Sequence, residues 1–194
     1  MKKYNIIYAD PAWKFGNRLR NGSPEANGTK NIVHRKLSET YNVMTTDEIC
    51  QLPINDLTHK DCVLFIWTTD AHLEDAMKVI NAWGFTYKTC AFTWIKQNPK
   101  SNTIFKGVGR WVMGNAELVL LATKGKPKRI AMNISQVVLA KRGRHSQKPE
   151  EVRSRIVKLM GNVPKIELFA RTKREGWDCW GNQLPKDTQN ILSL

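Results

Sequence analysis

Apolar residues along this chain fall into short unbroken runs, separated by amphipathic stretches and by long polar segments. Tyr4 to Ala9 is the first run, and its compactness predicts a strand buried on both faces. Cys62 to Thr68 (CVLFIWT) predicts a second strand, Thr86 to Ile95 a third with aromatic character, and Ala116 to Thr123 (AELVLLAT) a fourth. A weaker strand or hairpin arm is expected between Arg129 and Leu139. Lys165 to Ala170 (KIELFA) predicts the last core strand, and Gly176 to Gln183 a final loop or short strand.

Between these runs the period changes to that of a helix. Thr45-Thr46-Asp47-Glu48 has the capping-box spacing for a short helix ending near Leu52. Asp70 is placed to cap a helix whose apolar positions Ala71, Ala76, Met77, Ile80 and Trp83 recur at helical spacing, with Gly84 closing it. Glu150 to Met160 repeats the pattern through Val152, Ile156, Leu159 and Met160, with Pro149 at its first turn. Continuous apolar strands alternating with amphipathic helices predict an α/β fold with a mainly parallel sheet flanked by helices. The length of 194 residues suits a single domain. Ligands in such sheets bind beyond the carboxyl ends of strands, which singles out Asp10 to Trp13 and the segment from Arg171 onward.

Charge narrows the partner. Thirty-one Lys and Arg against 17 Asp and Glu leave a net charge of +14, a balance that suits a polyanion because neutralising phosphates releases counterions. Three basic clusters lie in polar segments. They are Arg18, Arg20, Lys30, Arg35 and Lys36; then Lys96, Lys100, Lys106 and Arg110; then Lys124, Lys126, Lys128, Arg129, Lys141, Arg142 and Arg144. Segments 14–42 and 97–114 are expected to be substrate-binding loops, although a solvated basic face fits the same charges. Cysteines 50, 62, 90 and 179 are scattered without zinc or redox spacing, and the four histidines lack ligand spacing, so no metal is expected. The apolar run at the start is too short for a signal peptide, and a soluble cytoplasmic protein is expected.

Asp10-Pro11-Ala12-Trp13 carries candidate chemistry. Asp10 sets a carboxylate at a strand's carboxyl end, Pro11 removes a backbone donor so that carbonyls can point outward as acceptors, and Trp13 offers a flat face to a base. Such acceptors would take the two N–H groups of an exocyclic amine, localise its lone pair and favour attack. A base must leave its duplex to reach them. An ordinary Asp-Pro turn with a packing Trp fits the tetrapeptide equally well.

The tetrapeptide resembles the (D/N/S)-P-P-(Y/F/W) signature of amino methyltransferases. Almost the whole chain is similar to the MT-A70 family, named for the catalytic subunit of the mRNA adenine-N6 methyltransferase and rich in bacterial and phage members. The likeness runs in order through Asp61 to Trp67, Ala82 to Phe85, Thr93 to Lys96, Glu117 to Leu120, His145 to Glu151, Lys165 to Arg171 and Trp177 to Leu184. It implies a Rossmann-like, S-adenosylmethionine-dependent methyltransferase with circularly permuted motifs, the catalytic tetrapeptide first. By resemblance, Asp10 lies between target amine and cofactor, and the Pro11 carbonyl takes the other amine proton. Lys148 pairs with the cofactor carboxylate, Glu167, Phe169 and Arg171 line the ribose side, and Asn182 and Gln183 hold ribose or adenine. Tyr41 closes over the target base. On the residues alone, Trp94 and Trp111 are candidates to stack the base but fit the core equally well, and Lys96 and Arg110 of the second basic cluster are expected to contact the substrate.

Three departures from the family pattern stand out: Ala12 replaces the second proline, Ala170 stands where relatives often carry Gly, and the chain begins at the catalytic strand with no upstream strand for the cofactor adenine. The expected activity is methylation of adenine N6 in nucleic acid, with DNA favoured over RNA because the chain lacks long extensions. A catalytically inactive nucleic-acid-binding subunit and a cytosine-N4 methyltransferase are the alternatives. Monomer, homodimer and heterodimer all fit.

Overall fold

The computed structural model describes residues 2–13, 43–109, 111–143 and 147–185. Seven strands form one sheet in the order β5-β3-β4-β2-β1-β6-β7. They are β1 (Tyr4–Ala9), β2 (Thr58–Thr68), β3 (Thr86–Gln97), β4 (Ala116–Lys124), β5 (Val137–Lys141), β6 (Lys165–Leu168) and β7 (Asp178–Trp180). The helices are α1 (Thr46–Cys50), α2 (Leu73–Ala82) and α3 (Glu150–Met160).

The predicted elements are present, except that the weak strand expected between Arg129 and Leu139 forms later, as β5, and the sheet is mainly parallel as expected. β1 runs parallel to β2 and β6, β6 to β7, and β3 to β5. β4 is antiparallel to both β2 and β3. An apolar run shows burial and says nothing about direction, and β4 is the reversed strand in a sheet whose other pairs are all parallel.

Local chemistry sets the element ends. Thr45 and Glu48 make the expected reciprocal capping box before α1. Asp70 opens a 3-10 turn, Asp70–His72, instead of capping α2 with its side chain. Pro149 sits at the N-cap of α3, one position outside the helix. β6 stops two residues earlier than expected because Phe169 takes φ 61°, a conformation no strand can hold.

Each face of the sheet buries its own core. Ile7, Ala9, Leu64, Ile66 and Leu168 pack with Val79 and Ile80 of α2 and with Trp83 at its C-cap. On the other face Ile6, Tyr8, Phe65, Trp67, Phe92 and Trp94 pack with Val152 and Ile156 of α3. Alternation along β1 makes this division, as successive side chains point to opposite faces. All four cysteines are free thiols. Among the described residues no helix is long and apolar enough to cross a membrane, and no cluster of His, Cys, Asp or Glu could hold a metal.

Candidate active site

The carboxyl ends of β1, β2 and β6 meet the amino end of β4, since Ala9 pairs with Ile66 and Leu168, and Thr68 with Leu118. Asp10 follows β1 at this edge, and Glu117, the second residue of β4, stands near it. Lys148, on the turn into α3, joins them: its Nζ lies 2.9 Å from Asp10 Oδ1 and 3.2 Å from Glu117 Oε2. Lys96, at the end of β3, reaches Glu117 at 2.7 Å. Two carboxylates and two ammonium groups thus balance in a cluster where the Lys148 side chain is 8% exposed, Glu117 14% and Asp10 21%. The Lys148 ammonium also sits 5.3 Å from the centre of the Trp67 ring.

Burial pushes the Asp10 carboxyl above its ordinary value; Lys148 pulls it back only in part, and the Glu117 charge pushes it up further. Burial acts the same way on Glu117, but Lys148 and Lys96 outweigh it and hold that carboxyl low. Burial would strip the proton from Lys148, yet Asp10 and Glu117 outweigh it and keep the ammonium charged. Two carboxylates of unequal basicity flank one lysine, and Asp10 is the more basic. Its orientation is fixed by Lys148, and the charge of Arg171, from the segment after β6, is close enough to act on it.

The tetrapeptide differs in detail from the expectation. Trp13 N–H donates to the Pro11 carbonyl at 2.9 Å, and Met44 N–H to the Ala12 carbonyl at 3.1 Å. Neither carbonyl is an open acceptor; each retains one lone pair. Trp13 is 7% exposed, stacks on His72 with ring centres 5.7 Å apart, and donates its indole N–H to the Trp67 carbonyl. It is therefore a wall of the site and not a free platform for a base.

Other expected contacts separate. Trp94 is 3% exposed, edge-on to Trp67, and donates to the Ala140 carbonyl, so it belongs to the core. Lys96 is held by Glu117 instead of standing free for a phosphate. Glu167 lies on the α3 face of β6 and is gripped by Arg153 through Nε at 2.7 Å and Nη2 at 2.6 Å. The role expected for it toward ribose gives way to this buried pair. Trp111 is fully exposed, away from the core. Tyr41 and Arg110 lie outside the described residues, as does the whole 14–42 segment.

After β6, Phe169 packs edge-on against Trp180, and Ala170 N–H donates to the Trp180 carbonyl. A Cβ at Gly181 would stand 2.2 Å from the Ala170 carbonyl oxygen, so only glycine allows this close approach. The tightness expected of a glycine at 170 is supplied by Gly181 instead. Asn182 and Gln183 follow it, exposed. Thr69, just past β2, keeps a buried hydroxyl with no hydrogen-bond partner among the described residues.

Glu117 and Arg153 were missed by reading the sequence for motifs. The available signal was a charge on an apolar face, since Glu117 interrupts the β4 run and Arg153 sits one residue from the Val152–Ile156 stripe.

Residues 4–183 match the MT-A70 family. The chain is 38% identical to Type II methyltransferase M.MunI of Mycoplasma sp, over 98% of this chain and 82% of that protein. It is 29% identical to the human N(6)-adenosine-methyltransferase catalytic subunit METTL3 over 94% of this chain and 28% of that protein. The Arabidopsis thaliana N(6)-adenosine-methyltransferase MT-A70-like is 28% identical, with 93% of this chain and 24% of that protein covered. With the carboxylate at the end of its first strand clamped by a lysine before α3, the chain belongs to the MT-A70 family of methyltransferases.

Proposed function

We propose that this enzyme transfers the methyl group of S-adenosylmethionine to the N6 amino group of adenine in nucleic acid, and acts on DNA in preference to RNA. One observation carries the reading: a half-buried, lysine-clamped carboxylate, Asp10, stands at the carboxyl end of β1, where an α/β sheet binds ligands.

The cluster fits the methionine end of the cofactor, which bears one carboxylate and one ammonium. Lys148 would hold the carboxylate, and Asp10 with Glu117 the ammonium. Phe169, Arg171, Asn182 and Gln183 line the segment after β6 and would take the ribose and adenine, and the unpartnered Thr69 hydroxyl is a further donor at this edge. When bound, the cofactor supplies an activated methyl group on a positively charged sulfur.

The protein's part is to make an aromatic amine nucleophilic. Asp10 accepts one amine N–H, and the remaining lone pair of the Pro11 carbonyl accepts the other, which returns electron density to nitrogen. A proton must leave the amine as the C–N bond forms. Asp10 is the better acceptor of the two cluster carboxylates, because burial raises its proton affinity while Glu117 is held low. Trp13 and Trp67 wall the site and exclude water.

N6 of adenine is supported by the likeness to the human N(6)-adenosine-methyltransferase catalytic subunit. The preference for DNA rests on coverage, as the chain spans 82% of the type II enzyme but 28% of the adenosine enzyme. The test is incubation with labelled S-adenosylmethionine and unmethylated single-stranded DNA, duplex DNA or RNA, followed by nucleoside digestion. N6-methyldeoxyadenosine is expected; label in N4-methylcytosine, or in RNA alone, would overturn the assignment.

A further inference from the structure

The positive charge of this protein is sharply segregated. From Ala76 to Pro149 the sequence holds fourteen Lys and Arg and one acid, Glu117. That acid is already paired with Lys96 and Lys148 in the active site. The stretch builds β3, β4 and β5, so this half of the sheet is strongly basic; the carboxylates that reach it come from neighbouring elements, Asp61 at the far end of β4 and Glu151 through Arg155 at the start of β5.

From this half the chain between β3 and β4 projects as an arm. Its base is a short ladder: Phe105 N–H donates to the Lys96 carbonyl at 2.7 Å, and Gly107 and Gly114 exchange backbone bonds at 2.9 and 3.1 Å. The Arg142 guanidinium lies 3.4 Å over the centre of the Phe105 ring and ties the arm to the end of β5. At the tip, a Cβ on Gly109 would stand 2.0 Å from the Val112 carbonyl oxygen, so the turn is closed by glycine. Beyond it Val108 is 99% exposed, Trp111 98%, Val112 78% and Met113 55%. An apolar tip left in water on a tightly built arm marks a contact surface.

Register fixes where the arm points. Ile95 pairs with Ala116, and Thr68 with Leu118, so the arm leaves the sheet at the end that carries Asp10, Glu117 and Lys148. Charge decides what meets it. A second copy would bring two strongly basic faces together, whereas a nucleic acid is attracted to both the lysines and the aromatic tip.

We infer that the arm between β3 and β4 is a nucleic-acid-engaging element that inserts Trp111 against the base stack beside the target base, while the surrounding lysines hold the phosphates. A target base drawn out of a duplex leaves its neighbours unstacked, and an indole with adjacent Val and Met side chains is the shape that occupies such a step. This inference rests on the reading that nucleic acid is the substrate, and it places Trp111 against the base stack on an arm built for that contact.

The test is fluorescence anisotropy with a short labelled duplex, alongside the sedimentation behaviour of each protein. Trp111→Ala is expected to weaken binding five-fold or more, the range that base–aromatic stacking gives, with its thermal midpoint unchanged because the side chain packs on nothing. Trp111→Phe keeps most of the affinity. The dependence of log K on log salt keeps its slope in Trp111→Ala but flattens by up to about two in a Lys100→Ala/Lys106→Ala double variant. Unchanged affinity of Trp111→Ala overturns the inference, and so does a wild-type dimer that this substitution converts to monomer. Binding that needs Trp111 without methylation of any nucleic acid would overturn the methyl-transfer reading and leave the arm's role standing.

Discussion

Glu117→Gln removes one charge from the active-site cluster without changing its shape. Glu117 meets Lys96 at 2.7 Å and Lys148 at 3.2 Å, and the substitution takes that carboxylate charge from both ammonium groups. Removing one partner of a buried ion pair costs about 3–5 kcal/mol. The glutamine carbonyl still accepts a hydrogen bond, and Lys96 at 18% exposure can turn toward water, which reduces the loss to about 2–3 kcal/mol. For a chain of this length that corresponds to a fall of about 4–12 °C in Tm, read by thermal and urea unfolding. Because the folded Glu117 carboxyl is held below its ordinary value of 4.5, its stabilisation is complete above that value. It is lost as pH falls through the lowered folded value, so the gap between variant and wild type closes in acid. Methyl transfer gives a second readout. The Glu117 charge helps push Asp10 up, so the acid limb of the kcat/KM profile moves to lower pH in Glu117→Gln. A variant as stable as wild type, with its acid limb in place, would refute the cluster as described.

Arg153→Met leaves Glu167 charged and buried without its partner and should lower stability by about 3–5 kcal/mol, while Arg153→Met/Glu167→Leu recovers most of the loss. Loss of cofactor affinity at unchanged stability in Glu167→Gln would instead restore that residue to the ribose. Trp94→Ala should destabilise by about 3–5 kcal/mol in urea titrations, as a deleted core aromatic does; a neutral effect would return it to the substrate. Gly181→Ala drives a methyl into the Ala170 carbonyl and should destabilise by about 1–3 kcal/mol. It should also reduce the thermal stabilisation given by S-adenosylmethionine, and normal stabilisation would detach this turn from the cofactor.

Much of this fold was legible because burial and period are written into the chain. β1 and α3 end where the apolar patterns predict, and Thr45 with Glu48 forms the capping box its spacing requires. Strand direction was not legible, since β4 reads like its parallel neighbours although it runs against β2 and β3. β2 begins at Thr58, four residues before the apolar run, because Thr58 to Asp61 carry no period-two signal. Within the site, Asp10 and Lys148 were legible as motif residues, and the fold brings them to 2.9 Å. What a motif could not show is which charges neutralise each other. Glu117 and Arg153 lie far in sequence from Asp10 and only three-dimensional packing pairs them, with Lys148 in one case and Glu167 in the other. Trp13 and Trp94 illustrate the converse, as an aromatic near a site is as useful to the core as to a base, and here packing claims both rings.

The central claim is that the Lys148-clamped Asp10 carboxylate performs the methyl transfer. Single-turnover transfer of labelled methyl from S-adenosylmethionine to a duplex, with N6-methyladenine quantified for wild type and Asp10→Asn, tests it most directly. The asparagine keeps the side chain's shape but loses the charge that accepts the amine proton, and the rate should fall about 100-fold or more, with stabilisation by cofactor still measurable. Methylation by Asp10→Asn at a rate near that of wild type would contradict the account.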